Sequence, residues 1–92
     1  MIVRILTEGQ YNFSGAYVDE LNGIDNELVE VVEQEDRPEF ERLLKKMLDL
    51  VREKGTPVAV DELVESDLVL PEPDITLEEA EELFTGEGML PG

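Results

Sequence analysis

The sequence contains neither cysteine nor histidine. Without thiols, a disulfide framework, a zinc–thiolate site and thiol catalysis are all excluded. Without imidazole, the usual general base near neutral pH is missing as well. There is no tryptophan and aromatics make up only 5% of the chain, so a core must come from Leu, Val, Ile and Met. No apolar run approaches the ~20 residues that span a bilayer. The opening MIVRIL contains Arg4 and is followed by polar TEGQ, unlike a secretory leader. Bases are scarce, seven against 24 acids, for a net charge of −17. Phosphate binding needs clustered Lys and Arg, so no nucleic acid is expected as a ligand, and anionic membrane surfaces are disfavoured.

What is present suits one soluble domain spanning 92 residues. A hydrophobic fraction of 41% is too high for a disordered acidic tail. A cysteine-free domain of this size is expected in the cytoplasm, because small secreted domains lean on cross-links. The charge is segmented. Met1 to Asp36 holds one base and nine acids, giving −8; Arg37 to Lys54 holds six bases and four acids, giving +2; the remainder holds eleven acids and no base, giving −11. A basic middle segment between acidic flanks reads first as internal charge complementarity and solubility.

Met1 to Leu6, apolar and rich in β-branched residues, predicts a strand, with a turn at Thr7 to Gln10 in which Gly9 takes positive φ, and a short return strand over Tyr11 to Phe13. Tyr17, Leu21, Ile24, Leu28 and Val31 recur at helical spacing and predict a helix from Tyr17 to about Gln34. Asn22-Gly23 usually marks a turn, but the apolar phase runs through it and Gly23 falls off the stripe. A second helix opens at Asp36 as N-cap, with Glu39 completing a capping-box-like pair and Pro38 in the first turn. Phe40, Leu43, Leu44, Met47, Leu48 and Val51 form its apolar face, Glu41 and Lys45 are spaced as an ion pair, and Gly55 with Pro57 ends it. Leu28, Leu44, Met47 and Leu48 are the expected inter-helix core. Asp67 to Leu70 reads as a buried strand beside the first, stopped by Pro71, and Thr76 to Glu79 is a capping box opening a last short helix with Leu77, Ala80, Leu83 and Phe84 facing inward. The expected fold is therefore α+β: an antiparallel helical hairpin on a small two- to three-stranded sheet, with a short C-terminal helix.

Chemistry is hard to find. Ser14 and Ser66 are the only serines, and neither lies in a nucleophile elbow. No glycine-rich phosphate loop is present. Asp61, Glu62, Glu65 and Asp67 match no EF-hand spacing and read as a solvated acidic loop; the glutamates after Thr76 read as a solvated helix face. No catalytic residue, metal site or cofactor is assigned. Three segments stand out as candidate partner-binding surfaces: the strand edge carrying Met1, Val3 and Ile5; the start of SDLVLP at Ser66 and Asp67; and the terminal apolar pair Met89 and Leu90 between glycines. The plainer alternatives are a fully paired central strand, a strand start, and docking of the tail on its own domain.

The opening MIVRILTEGQY, the helix DELNGIDNELVEVVE, the pair LVREKGTP, the strand SDLVLP and the ending GEGMLPG, in this order, resemble the PspA-associated family PspAA over nearly the whole chain. Asn22-Gly23 departs from the better helix formers expected there. The resemblance implies a cytoplasmic accessory protein of the envelope-stress response whose partner is a PspA-like (phage-shock-protein A) coiled-coil protein, with no catalytic residues to carry over. The net charge of −17 and the lack of a spanning apolar run lead to an expectation of membrane contact through that partner and not by insertion, and a homo-oligomer is permitted. A second reading, from charge alone, is an acidic decoy that mimics nucleic acid or sequesters a basic protein; a third is a carboxylate metal-dependent enzyme.

Overall fold

Alternation along IVRI places Val3 and Ile5 on one face and Arg4 on the other, which is what a half-buried strand requires. In the computed structural model of the chain, which describes residues 1–62 and 64–83, this segment is β1 (Ile2–Ile5). It pairs antiparallel with β2 (Gly9–Phe13), and β2 pairs antiparallel with β3 (Gly55–Pro57). On its other side β1 pairs in parallel with β4 (Leu68–Leu70), so the mixed sheet runs β3-β2-β1-β4. The sheet thus has four strands, more than the two or three expected. The extra one is β3, whose sequence Gly-Thr-Pro reads as a helix stop and carries no alternation to reveal a strand. Between β1 and β2 the left-handed positions are Thr7 (φ 73°) and Gly9 (φ 128°); only the glycine is legible in the sequence.

A parallel β1–β4 pair needs a long crossover, and the two helices supply it. A short 3-10 turn at Gly15–Tyr17, capped by the Ser14 hydroxyl accepting from the Ala16 N–H at 3.2 Å, leads into α1 (Val18–Glu33). The helix runs unbroken through Gly23, which is exposed with open space around it. The expected stripe holds: Leu21, Ile24, Leu28 and Val31 are buried, Tyr17 is half-buried just outside the helix, and Val29, Val32 and Asp25 widen the buried face. Helix α2 (Arg37–Lys54) buries Phe40, Leu43, Leu44, Met47, Leu48, Leu50 and Val51. Three residues join the helices, so they pack as an antiparallel hairpin.

The hairpin turn is a Schellman motif: the Glu35 N–H donates to the Val32 carbonyl at 3.1 Å and the Asp36 N–H to the Val31 carbonyl at 3.0 Å. Glu35 occupies the left-handed position at φ 56°, where glycine is the usual residue. Asp36 then caps α2, accepting from the Glu39 N–H at 3.3 Å. The return arm of that capping box is not made, because the Glu39 carboxylate turns to Arg42 instead (Nε to Oε1, 2.6 Å). Glu41 and Lys45 form no ion pair among the described residues. Thr76 and Glu79 do complete their box at the start of α3 (Leu77–Leu83): the Glu79 N–H donates to the Thr76 hydroxyl at 3.2 Å, and the Thr76 N–H donates back to Glu79 Oε1 at 3.5 Å, with the hydroxyl donating to the same oxygen at 3.0 Å. Leu77 and Ala80 are buried, while the Leu83 side chain and Phe84 lie outside what the structure describes.

Helices and sheet meet on one face only. Val3, Ile5, Phe13, Leu68 and Leu70 point from the sheet into the core built by α1, α2 and α3. A tight junction lies at Gly55, where α2 turns directly into β3. It caps the helix as the sequence suggested, its N–H donating to the Val51 carbonyl, but its φ of −93° is ordinary, so the glycine is not there for a left-handed backbone. It is needed for space: a Cβ there would sit 2.6 Å from the Val51 carbonyl oxygen and 2.9 Å from Tyr11 Cβ. Gly55→Ala is therefore expected to destabilise the domain by about 1–3 kcal/mol, the usual range for overpacking. Glu35→Gly should act in the opposite sense, raising the urea midpoint by relieving about 1 kcal/mol of left-handed strain. Equilibrium urea unfolding of both variants checks the pair.

Candidate protein-binding surface

With the helices gathered on one face, the sheet leaves the other to solvent. The register places Gln10, Arg4 and Val69 side by side across β2, β1 and β4, with Ile2 and Leu6 flanking Arg4 along the chain. Leu6 and Val69 are 43% and 41% exposed, which is high for large apolar residues on a sheet face. The segment after β3 folds back over the β2 side of this face. It is held by Gln10, whose amide donates to the Val64 carbonyl at 3.0 Å and the Ser66 hydroxyl at 2.9 Å. A hollow of about 670 Å³ forms beneath it, lined among others by Arg4, Gln10, Val60, Glu62, Val64 and Glu65.

Of the residues that the sequence marks for partner contact, Val3 and Ile5 are fully buried. Strand β1 is paired on both sides, so the expected free edge on Met1 to Leu6 is closed; the plainer reading, a central strand, describes it. Met1 stays 36% exposed at the strand's end, its amino group donating to the Phe13 carbonyl at 3.3 Å. Ser66 receives the Gln10 amide. Asp67 grips Ile2 twice: its N–H donates to the Ile2 carbonyl at 2.7 Å, and its Oδ2 accepts from the Ile2 N–H at 2.7 Å. Both residues thus start and pin β4. Met89 and Leu90 lie outside the described residues. What sequence reading missed is the outer face itself. The alternation of Arg4 with Val3 and Ile5 marks a solvated side, but Leu6 and Val69 join it only once the β1–β4 register is known.

The edges of the sheet are poor docking sites for another strand. Strands β3 and β4 have three residues each; β3 ends in Pro57, and Pro71 follows β4.

Charge is organised around α2. Arg52 forks onto Glu8 in the β1–β2 turn, with Nε to Oε2 at 3.0 Å and Nη2 on Oε1, and also reaches Asp49 at 2.9 Å. Hydrogen bonding to Glu8 raises the Arg52 pKa above its ordinary value against the opposing effect of partial burial. Arg37 reaches Glu78 of α3 at 2.6 Å. A hydrogen bond from its own backbone N–H, and then the Arg37 contact, pull the Glu78 carboxyl below the usual carboxylate range. A lowered folded pKa of this kind favours the fold at neutral pH, and the benefit disappears as acid titrates the group. Lys54 lies 5.3 Å from the centre of the Tyr17 ring. Among the described residues no cluster of three or more acidic side chains converges as a metal site, and no helix is long and apolar enough to cross a membrane.

Together the fold and surface define a two-layer α+β domain, roofed by helices on one face of a mixed sheet and bare on the other. The chain belongs to the PspA-associated protein family, PspAA, which matches residues 1–92. Neither the curated proteins nor the solved structures contain a match to it.

Asp67→Ala removes the charged acceptor from the Ile2 N–H and is expected to lower stability by about 1–2 kcal/mol in urea unfolding. Asp67→Asn keeps an oxygen in place and should recover most of that loss.

Proposed function

We propose that this chain is a non-catalytic regulatory or adaptor protein that binds a PspA-like coiled-coil protein in the envelope-stress response. The observation that carries the reading is membership of the PspA-associated family across residues 1–92. Composition supports it from the other side. A chain without His or Cys lacks the commonest catalytic groups. At −17 it is repelled by anionic lipid, so its natural route to a membrane is a protein partner. Its place in the cytoplasm is what the family resemblance implies. Acids at the edge of a contact would speed encounter with a basic surface, while apolar contacts would set the lifetime of the complex.

The charge also favours a second reading, an acidic decoy that mimics nucleic acid or sequesters a basic protein. Salt separates the two. An adaptor anchored by apolar groups keeps most of its affinity as ionic strength rises, whereas a decoy loses it steeply. Purified chain and the PspA homologue from the same organism are expected to sediment together at micromolar concentration in analytical ultracentrifugation, and to remain together at raised salt. Separate sedimentation of the two proteins under all conditions would refute the partner.

A further inference from the structure

We propose that the outer face of the sheet over β1 and β4 is a docking groove for a single amphipathic helix whose apolar stripe is flanked by Lys or Arg. The proposal rests on the reading that the chain works by binding a protein, and it names the surface and the chemistry of what fits there. Leu6, Val60, Val64 and Val69 are four of the large apolar side chains exposed in the described residues, and all lie on this face or on the segment that borders it. Because Gln10 pins residues 64 and 66 over β2, the face stays open on the β1 and β4 side, with Arg4 of β1 at the border of the hollow under the segment. Two neighbouring strands present a strip about 10 Å wide, and a helix with its side chains is about 10–12 Å across. The strip therefore takes one helix, with Val60 and Val64 as a side wall. A helix there would cover the bare face as α1 and α2 cover the inner one, making three layers out of two.

Charge selects the kind of helix. The bordering segment carries Asp61, Glu62 and Glu65, none of which forms an ion pair among the described residues, and contains no base. Apolar wall residues rimmed by free carboxylates complement a stripe flanked by cations, and they disfavour anionic lipid and nucleic acid. A second copy of a chain at −17 is disfavoured on the same ground. Arg4 at the centre of the strip, exposed and outside any ion pair of the described residues, adds one requirement: a single carboxylate or backbone carbonyl of the helix facing it.

The test uses the full chain, labelled for amide NMR, and two probes. The first is a synthetic helical peptide of about five turns, with Leu on one stripe, Lys on both flanks and one Glu in the stripe. Amides of β1, β4 and residues 58–66 are expected to shift. Leu6→Glu and Val69→Glu should each weaken binding roughly tenfold or more with the melting temperature retained. Val69→Thr, which keeps the β-branched shape, serves if a Glu variant does not fold. Absence of shifts, shifts confined to α2 or α3, unchanged affinity in folded variants, or equal binding of the same peptide with Glu in place of Lys would each overturn the proposal. The second probe is the PspA homologue from the same organism. Peptide binding on the sheet face without association with the homologue keeps the groove and removes that partner. Association that both Glu variants leave intact keeps the partner and removes the groove.

Discussion

The pairing of β1 on both sides is the constraint on which the rest of the molecule depends. Once residues 68–70 return to lie parallel to residues 3–5, the chain between must climb over one face of the sheet and come back, and α1 and α2 are that path. The strand's inward side chains, Val3 and Ile5, are then sealed under the hairpin. A parallel pair cannot be closed by a tight turn, so the two helices and the sheet stand or fall together. Asp67 fixes the register of that return with both its backbone and its carboxylate.

Electrostatics follow the same plan. The cation of every ion pair among the described residues belongs to α2, and two of those pairs reach far along the chain, to Glu8 and to Glu78. Exposed pairs of this kind contribute little each. Their combined effect is to set a helix of net positive charge against acidic segments that precede and follow it, in a chain where self-repulsion is the default. The forked Arg52–Glu8 contact, the less exposed of the long-range pairs, ties the end of α2 to the β1–β2 turn close to the junction at Gly55.

Periodicity makes both long helices legible, together with their buried faces, since an amphipathic stripe survives an unfavourable Asn-Gly when the glycine points outward. The caps at Asp36 and Thr76 are equally readable, because the residues that make them are local. Three things are not. Strand β3 is three residues without alternation, and its pairing with β2 depends on a close approach at Gly55 that only packing reveals. Glu35 gives no sign of the left-handed position it holds, since the hairpin and not the residue dictates it. The outer apolar face joins Leu6 to Val69 across 63 positions of sequence, and a parallel register over that distance leaves no local trace. The segments that suggest partner contact include two residues, Val3 and Ile5, whose hydrophobicity records burial.

The late return of β4 also sets an order of events at the ribosome. Both helices and three of the four strands leave the exit tunnel before Asp67 does, so the growing chain can gather its helical hairpin against β1, β2 and β3 while one side of β1 still has unmatched backbone donors and acceptors. For that interval the nascent domain carries an open strand beside a partly built core, the combination most prone to pairing with a neighbouring chain.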